Sequence, residues 1–188
     1  GTATEGTDYT DGSGNIDDIV ISAGSTTGTV SFTPTDDSLY DATSNETATI
    51  AISGVSGGSA SESGTQSVTI TITDNESAPT VTLATSGTSI AENSASTLTL
   101  TATLSTATYQ DVTVSIGSSG TATEGTDYGT VSDITISAGS TTGTATFDPT
   151  DDSAETDTVT ATLSITGVSG GSASESCLLY TSPSPRDA

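Results

Sequence analysis

Ser67–Thr73 reads SVTITIT. Val68, Ile70 and Ile72 fall on one side of an extended chain, and hydroxyl residues fall on the other. Period-two alternation rich in β-branched residues marks a half-buried strand. The same pattern recurs outward along the chain. Thr97–Leu104 reads TLTLTATL, Asp111–Ile116 reads DVTVSI, and Thr158–Ile165 reads TVTATLSI. Clusters of Gly, Ser, Asn and Asp break these runs at short intervals, as in a β-sandwich. No segment of useful length repeats its apolar residues every 3.6 positions, so the expected class is all-β with almost no helix.

The runs sit inside a larger duplication. GTATEGTDY at Gly1–Tyr9 returns at Gly120–Tyr128, and ISAGSTTGT at Ile21–Thr29 returns at Ile136–Thr144. PTDDS at Pro34–Ser38 returns at Pro149–Ser153, and GVSGGSASES at Gly54–Ser63 returns at Gly167–Ser176. The offset falls from 119 residues at the first block to 113 at the last. That period is the size of a domain and far longer than a solenoid repeat. Residues 79–119 precede the second GTATEGTDY and hold about three strands by this reading. The expected organisation is therefore two tandem sandwiches. Residues 1–76 lack the opening strands, 77–79 form a linker, and 80–176 lack the last strand. Cys177–Ala188 has no alternation and carries the only Cys and the only Arg. It reads like translated sequencing-adapter sequence and is treated as a non-native tail.

Composition excludes several functions. The chain has 188 residues, 24 Asp plus Glu, one Lys plus Arg, no His, and a formal charge of −23. Without His there is no triad hydrolase and no His-ligated zinc or haem. With one Arg and no Lys there is little to neutralise the phosphates of a nucleic acid. No apolar stretch approaches the roughly 18 residues of a membrane-spanning helix. One Cys makes no internal disulfide.

The acidic residues concentrate in the repeated loops. In the first copy they are Asp8, the pair Asp36 and Asp37, Asp41, Glu46, Asp74 and Glu76. In the second they are Asp127, the pair Asp151 and Asp152, then Glu155 and Asp157, with Glu92 after the first strand of that domain. In an antiparallel sandwich alternate loops share an end. Glu92, the GTDY loop, the PTDDS loop and the closing acidic run would then converge. Carboxylates crowded within about 4–6 Å repel unless a cation joins them. Ca²⁺ suits such a site, because it takes 6–8 oxygen ligands in flexible geometry. The plainer account is that Asp-Asp pairs simply form turns.

In order along the chain, GTATEGTDY, ISAGSTTGTVSFTPTDDSLYDATSNET and ITDNE resemble the Calx-β domain. This is the immunoglobulin-like module of sodium–calcium exchangers and of many large surface proteins. The resemblance covers residues 1–176. It implies immunoglobulin-like Greek-key sandwiches, an extracellular or cell-surface location, and Ca²⁺ as the cofactor. It also implies neighbouring repeat domains, and cell-surface proteins or glycans, as partners. The ligands it implies are Asp8, Asp36, Asp37, Asp41, Glu46, Asp74 and Glu76 in the first copy. In the second they are Glu92, Asp127, Asp151, Asp152 and Glu155. The closing run reads Asp-Asn-Glu where the family has three acids, which removes one charge.

Four readings of function follow. The leading one is a non-enzymatic Ca²⁺-binding structural or adhesive module. The second is a passive acidic spacer with no specific metal site. A third is ligand binding by the Thr ladders, which is weakened by their place on separate strands. An enzyme ranks last: Asp36 and Asp37 are neighbours in sequence, whereas a glycosidase needs facing carboxylates about 5–10 Å apart.

Overall fold

The computed structural model describes residues 1–42, 45–151 and 158–176. Among them there are thirteen strands and no helix. The chain separates into two compact units. Unit 1 holds residues 1–38 and 45–75. Unit 2 holds 76–176 together with 39–42, a segment that lies inside the first copy by sequence.

Unit 2 is a two-layered β-sandwich. One sheet is formed by β9 (Val112–Gly120), flanked by β10 (Ile134–Ile136) and β12 (Ala161–Ser169), all antiparallel. The other runs β11 (Thr142–Phe147), β7 (Leu98–Leu104), β6 (Thr80–Thr85) and β13 (Ser174–Glu175). The β13–β6 pairing is parallel and the others are antiparallel. A further short parallel pair joins β3 (Leu39–Tyr40) to β8 (Ala107–Thr108). Alternation decides the core. Leu100, Ala102 and Leu104 of β7 turn inward with Val81 of β6, and meet Val112, Val114, Ile134 and Ile136 of the facing sheet. Apolar burial is the main stabilising term in a domain of this size. Thr166 is an extra residue in β12, between Ile165 and Gly167, and shifts the register there.

Unit 1 has fewer ladders. β1 (Tyr9–Thr10) pairs with β2 (Thr33–Pro34), and β4 (Glu46–Ala51) pairs with β5 (Ser67–Ile72). The blocks it shares with unit 2 fold the same way locally. The turn Ser25 N–H to Ser22 O measures 2.9 Å, and Ser140 N–H to Ser137 O also measures 2.9 Å. Gly57 and Gly58 take φ of +85° and +56°, against +88° and +53° at Gly170 and Gly171. Tyr9 stacks on Phe32 and Tyr128 on Phe147, each with ring centroids 4.7 Å apart.

The two units part where partner strands are needed. Ile134–Ile136 is a strand because β9 lies beside it, while Ile19–Ile21 with the matching sequence is not. Thr142–Phe147 is a strand because β7 lies beside it, while Thr27–Phe32 is not. A strand is completed by hydrogen bonds to a neighbour and not by propensity alone. Burial follows the same division: Ile134 and Ile136 are fully buried, whereas Ile19 is 54% and Ile21 57% exposed.

Candidate functional site

The GTDY block builds a compact turn in both copies. Gly6 N–H donates to Tyr9 O, and Asp8 N–H donates to Thr4 O. The Asp8 carboxylate closes this turn by accepting Thr4 N–H at 2.6 Å, and Asp127 accepts Thr123 N–H at 2.6 Å. Gly6 and Gly125 both take φ of +82°, a conformation that glycine adopts without strain. The following tyrosines are buried beneath the turn.

Each turn lies beside the PTDD loop of its own copy. Thr35 N–H donates to Asp8 O at 2.9 Å, and Thr150 N–H donates to Asp127 O at 3.0 Å. In unit 1 two further acidic segments reach the same end. Asn75 Nδ2 donates to Asp36 Oδ1 at 3.1 Å, which ties the closing run to the PTDD loop. Glu46 opens β4 opposite Ile72, two residues before Asp74. Ala3 N–H donates to Thr47 O, which draws the GTATEGTDY block against the start of β4.

The sequence-predicted residues distribute as follows. Asp8, Asp36, Asp37, Glu46 and Asp74 belong to unit 1, and Asp41 and Glu76 group with unit 2. Asp36 and Asp37 are exposed; Asp8, Asp41, Glu46, Asp74 and Glu76 are half-buried. Glu92 is exposed in a bend held by Ser94 N–H on Ala91 O, ahead of β7. Asp127 is half-buried and Asp151 exposed, at adjoining loops of unit 2. Asp152 and Glu155 lie outside the described residues. Among those described, no three acidic side chains gather closely enough to hold a metal ion. The loops converge in unit 1, but their carboxylates do not.

Several carboxylates outside the expected ligand set act as braces. Asp133 accepts Ile116 N–H at 3.0 Å and Ser115 Oγ–H at 3.1 Å, fastening β9 to the residue before β10. Asp111 accepts Ala138 N–H at 2.8 Å. Asp11 accepts the Ser13 N–H and hydroxyl, both at 2.8 Å, and the Gly14 N–H at 3.2 Å. The Ser13 backbone bond, followed by that of its hydroxyl, holds the Asp11 carboxyl below its ordinary range. The signal available in the sequence was the known habit of Asp to bind nearby backbone in turns.

No family model, curated protein or solved structure matches the chain. Among the described residues no helix is long and apolar enough to cross a membrane.

Proposed function

We propose that the chain is a non-enzymatic structural module of a repeat-containing extracellular or cell-surface protein. In this reading its sandwiches are of the immunoglobulin-like, Calx-β type that the motifs resemble, and its acidic loops take Ca²⁺ and stiffen the array. The observation that supports it is the convergence of four acidic segments at one end of unit 1: the Asp8 turn, the Asp36 loop, Glu46 and the run at Asp74. Carboxylate, amide and backbone carbonyl oxygens there are hard donors of the kind Ca²⁺ prefers. With no His in the chain, zinc and copper fit poorly. Ca²⁺ would supply the charge balance that the chain's own bases cannot.

A second reading, a passive acidic spacer, draws support from the carboxylates themselves. None gather in threes among the described residues, and several already serve local backbone bonds.

Thermal melts of the chain in Ca²⁺, in Mg²⁺ and in chelator separate the two readings. A site filled to 100 times its Kd adds about 2.7 kcal/mol, which in a domain this small raises Tm by about 10 °C or more. Asp8→Asn keeps an oxygen acceptor for Thr4 N–H, so its Tm in chelator should match that of the parent. The Ca²⁺-dependent rise in unit 1 should fall to roughly half or less, because a charged ligand is gone. Equal responses to Ca²⁺, Mg²⁺ and ionic strength would favour the spacer.

A further inference from the structure

We infer that the outer face of the β11–β7–β6 sheet of unit 2 binds ice through a lattice of threonines. The inference does not rest on Ca²⁺ binding and uses no residue of the acidic loops.

The threonine runs lie on separate strands, and the register sets them side by side. Thr103 of β7 lies between Thr142 of β11 and Thr82 of β6. In the next row Thr101 lies between Thr144 and Ala84. In the row after that Thr99 lies beside Thr146. The alternate residues Leu100, Ala102 and Leu104 are buried in the core, so the threonines between and beside them point outward. All of these threonines are exposed except Thr101, which is half-buried at the centre of the array.

The chemistry of the face selects its ligand. Strands β6, β7 and β11 contain no charged residue, in a chain of formal charge −23. The face therefore complements a neutral surface. Its hydroxyls are open to an outside partner. Among the described residues, only Thr82 Oγ1 of this array donates within the chain, to Thr103 O at 3.5 Å. The opposite sheet differs. There Ser115 Oγ donates to Asp133, Thr166 Oγ1 donates to Ser115 O, and Gly117 and Gly167 interrupt the rows.

Threonine presents a methyl group and a hydroxyl on a side chain with restricted χ1. Rows of it repeat about every 4.8 Å between strands and about every 6.8 Å along them. These two repeats are close to those of the oxygen atoms in a prism plane of hexagonal ice. A stiff, uncharged array at that spacing orders its bound water as the crystal does, and the shared layer joins protein to ice. Twist of about 20–25° between neighbouring strands confines the match to a patch of this size. A carbohydrate fits less well, because the outward positions hold no aromatic ring to stack on a sugar and no amide or carboxylate to bond it.

Ice affinity is measured by growing an ice hemisphere slowly from a solution of the full chain, in chelator, beside a control protein that ice excludes. The fraction of each taken into the ice is read, together with the shape of a single growing crystal. The expected result is enrichment of the chain over the control, and faceting of the crystal. Thr103→Lys combined with Thr144→Lys should lower the fraction to that of the control. Both positions are exposed, so the double variant should keep its circular dichroism spectrum. If that spectrum is lost, Thr144→Lys alone, on the edge strand β11, should show the same fall. Thr135→Lys, exposed on the opposite sheet, should leave enrichment unchanged. Exclusion of the parent chain from ice would overturn the inference. So would enrichment that survives T103K with T144K, an equal fall with T135K, or capture by an insoluble polysaccharide without enrichment in ice.

Discussion

Replacing Ile134 with alanine should destabilise unit 2 by about 2–5 kcal/mol, the range for truncating a buried aliphatic side chain. Ile19→Ala, the same change at the matching place in the first copy, should cost unit 1 no more than about 0.5 kcal/mol, as for an exposed site. Both residues stand in the same sequence frame, Asp-Ile-x-Ile-Ser-Ala-Gly. Their difference is the presence of a neighbour. Ile134 pairs with Val114 and belongs to the same buried core cluster as Val81, Leu100 and Leu104. Ile19 is 54% exposed. Denaturant titration of the two variants, read separately for the two units, gives the comparison. Equal costs would mean that burial in the two copies is not what separates them.

Tyr128→Ala should have an effect of similar or greater size, about 3–5 kcal/mol, as for other buried aromatic truncations. Tyr128 is buried, stacks on Phe147, and sits directly after the turn closed by Asp127. Its backbone bridges Pro149, and so links the GTDY and PTDD blocks. Removing the ring leaves a cavity beneath both loops. Tyr128→Phe retains the stack and should retain most of the stability. The expected readout is a large fall in denaturation midpoint for the alanine variant and a small one for phenylalanine. A mild effect of alanine would show that the ring pair does not anchor the loops.

Much of the architecture was legible in the sequence, because alternation survives folding unchanged. SVTITIT became β5, and TLTLTATL became β7. DVTVSI lies almost wholly within β9, and TVTATLSI overlaps β12. Each run carries its apolar residues on one face, and a sheet requires no more than that of a strand. What was not legible was which runs would find partners. Ile19–Ile21 and Ile134–Ile136 sit in nearly the same sequence frame, yet pairing depends on strands elsewhere in the chain. The parallel pairing of β3 with β8 carries no local signature at all, since each strand is two residues long.

The acidic loops were legible as places more than as a site. The GTDY and PTDD loops are bonded to each other in each copy, and Asn75 of the closing run reaches Asp36 in unit 1. Side-chain direction did not follow from sequence. Asp8 and Asp127 were read as ligands, and their carboxylates accept the backbone N–H of Thr4 and Thr123. A hydrogen bond to a nearby amide costs little chain entropy, so local partners compete well with distant carboxylates. Asp133, read as nothing in particular, turned out to fasten two strands together.

Matching blocks share their loops and differ in strand completion. Amide hydrogen exchange of the unmodified chain tests it most directly. The amides of Ile134–Ile136 that bond to β9 should exchange at least about a thousandfold more slowly than those of Ile19–Ile21, the ratio given by an opening free energy of about 4 kcal/mol. Equal protection of the two segments would contradict the account.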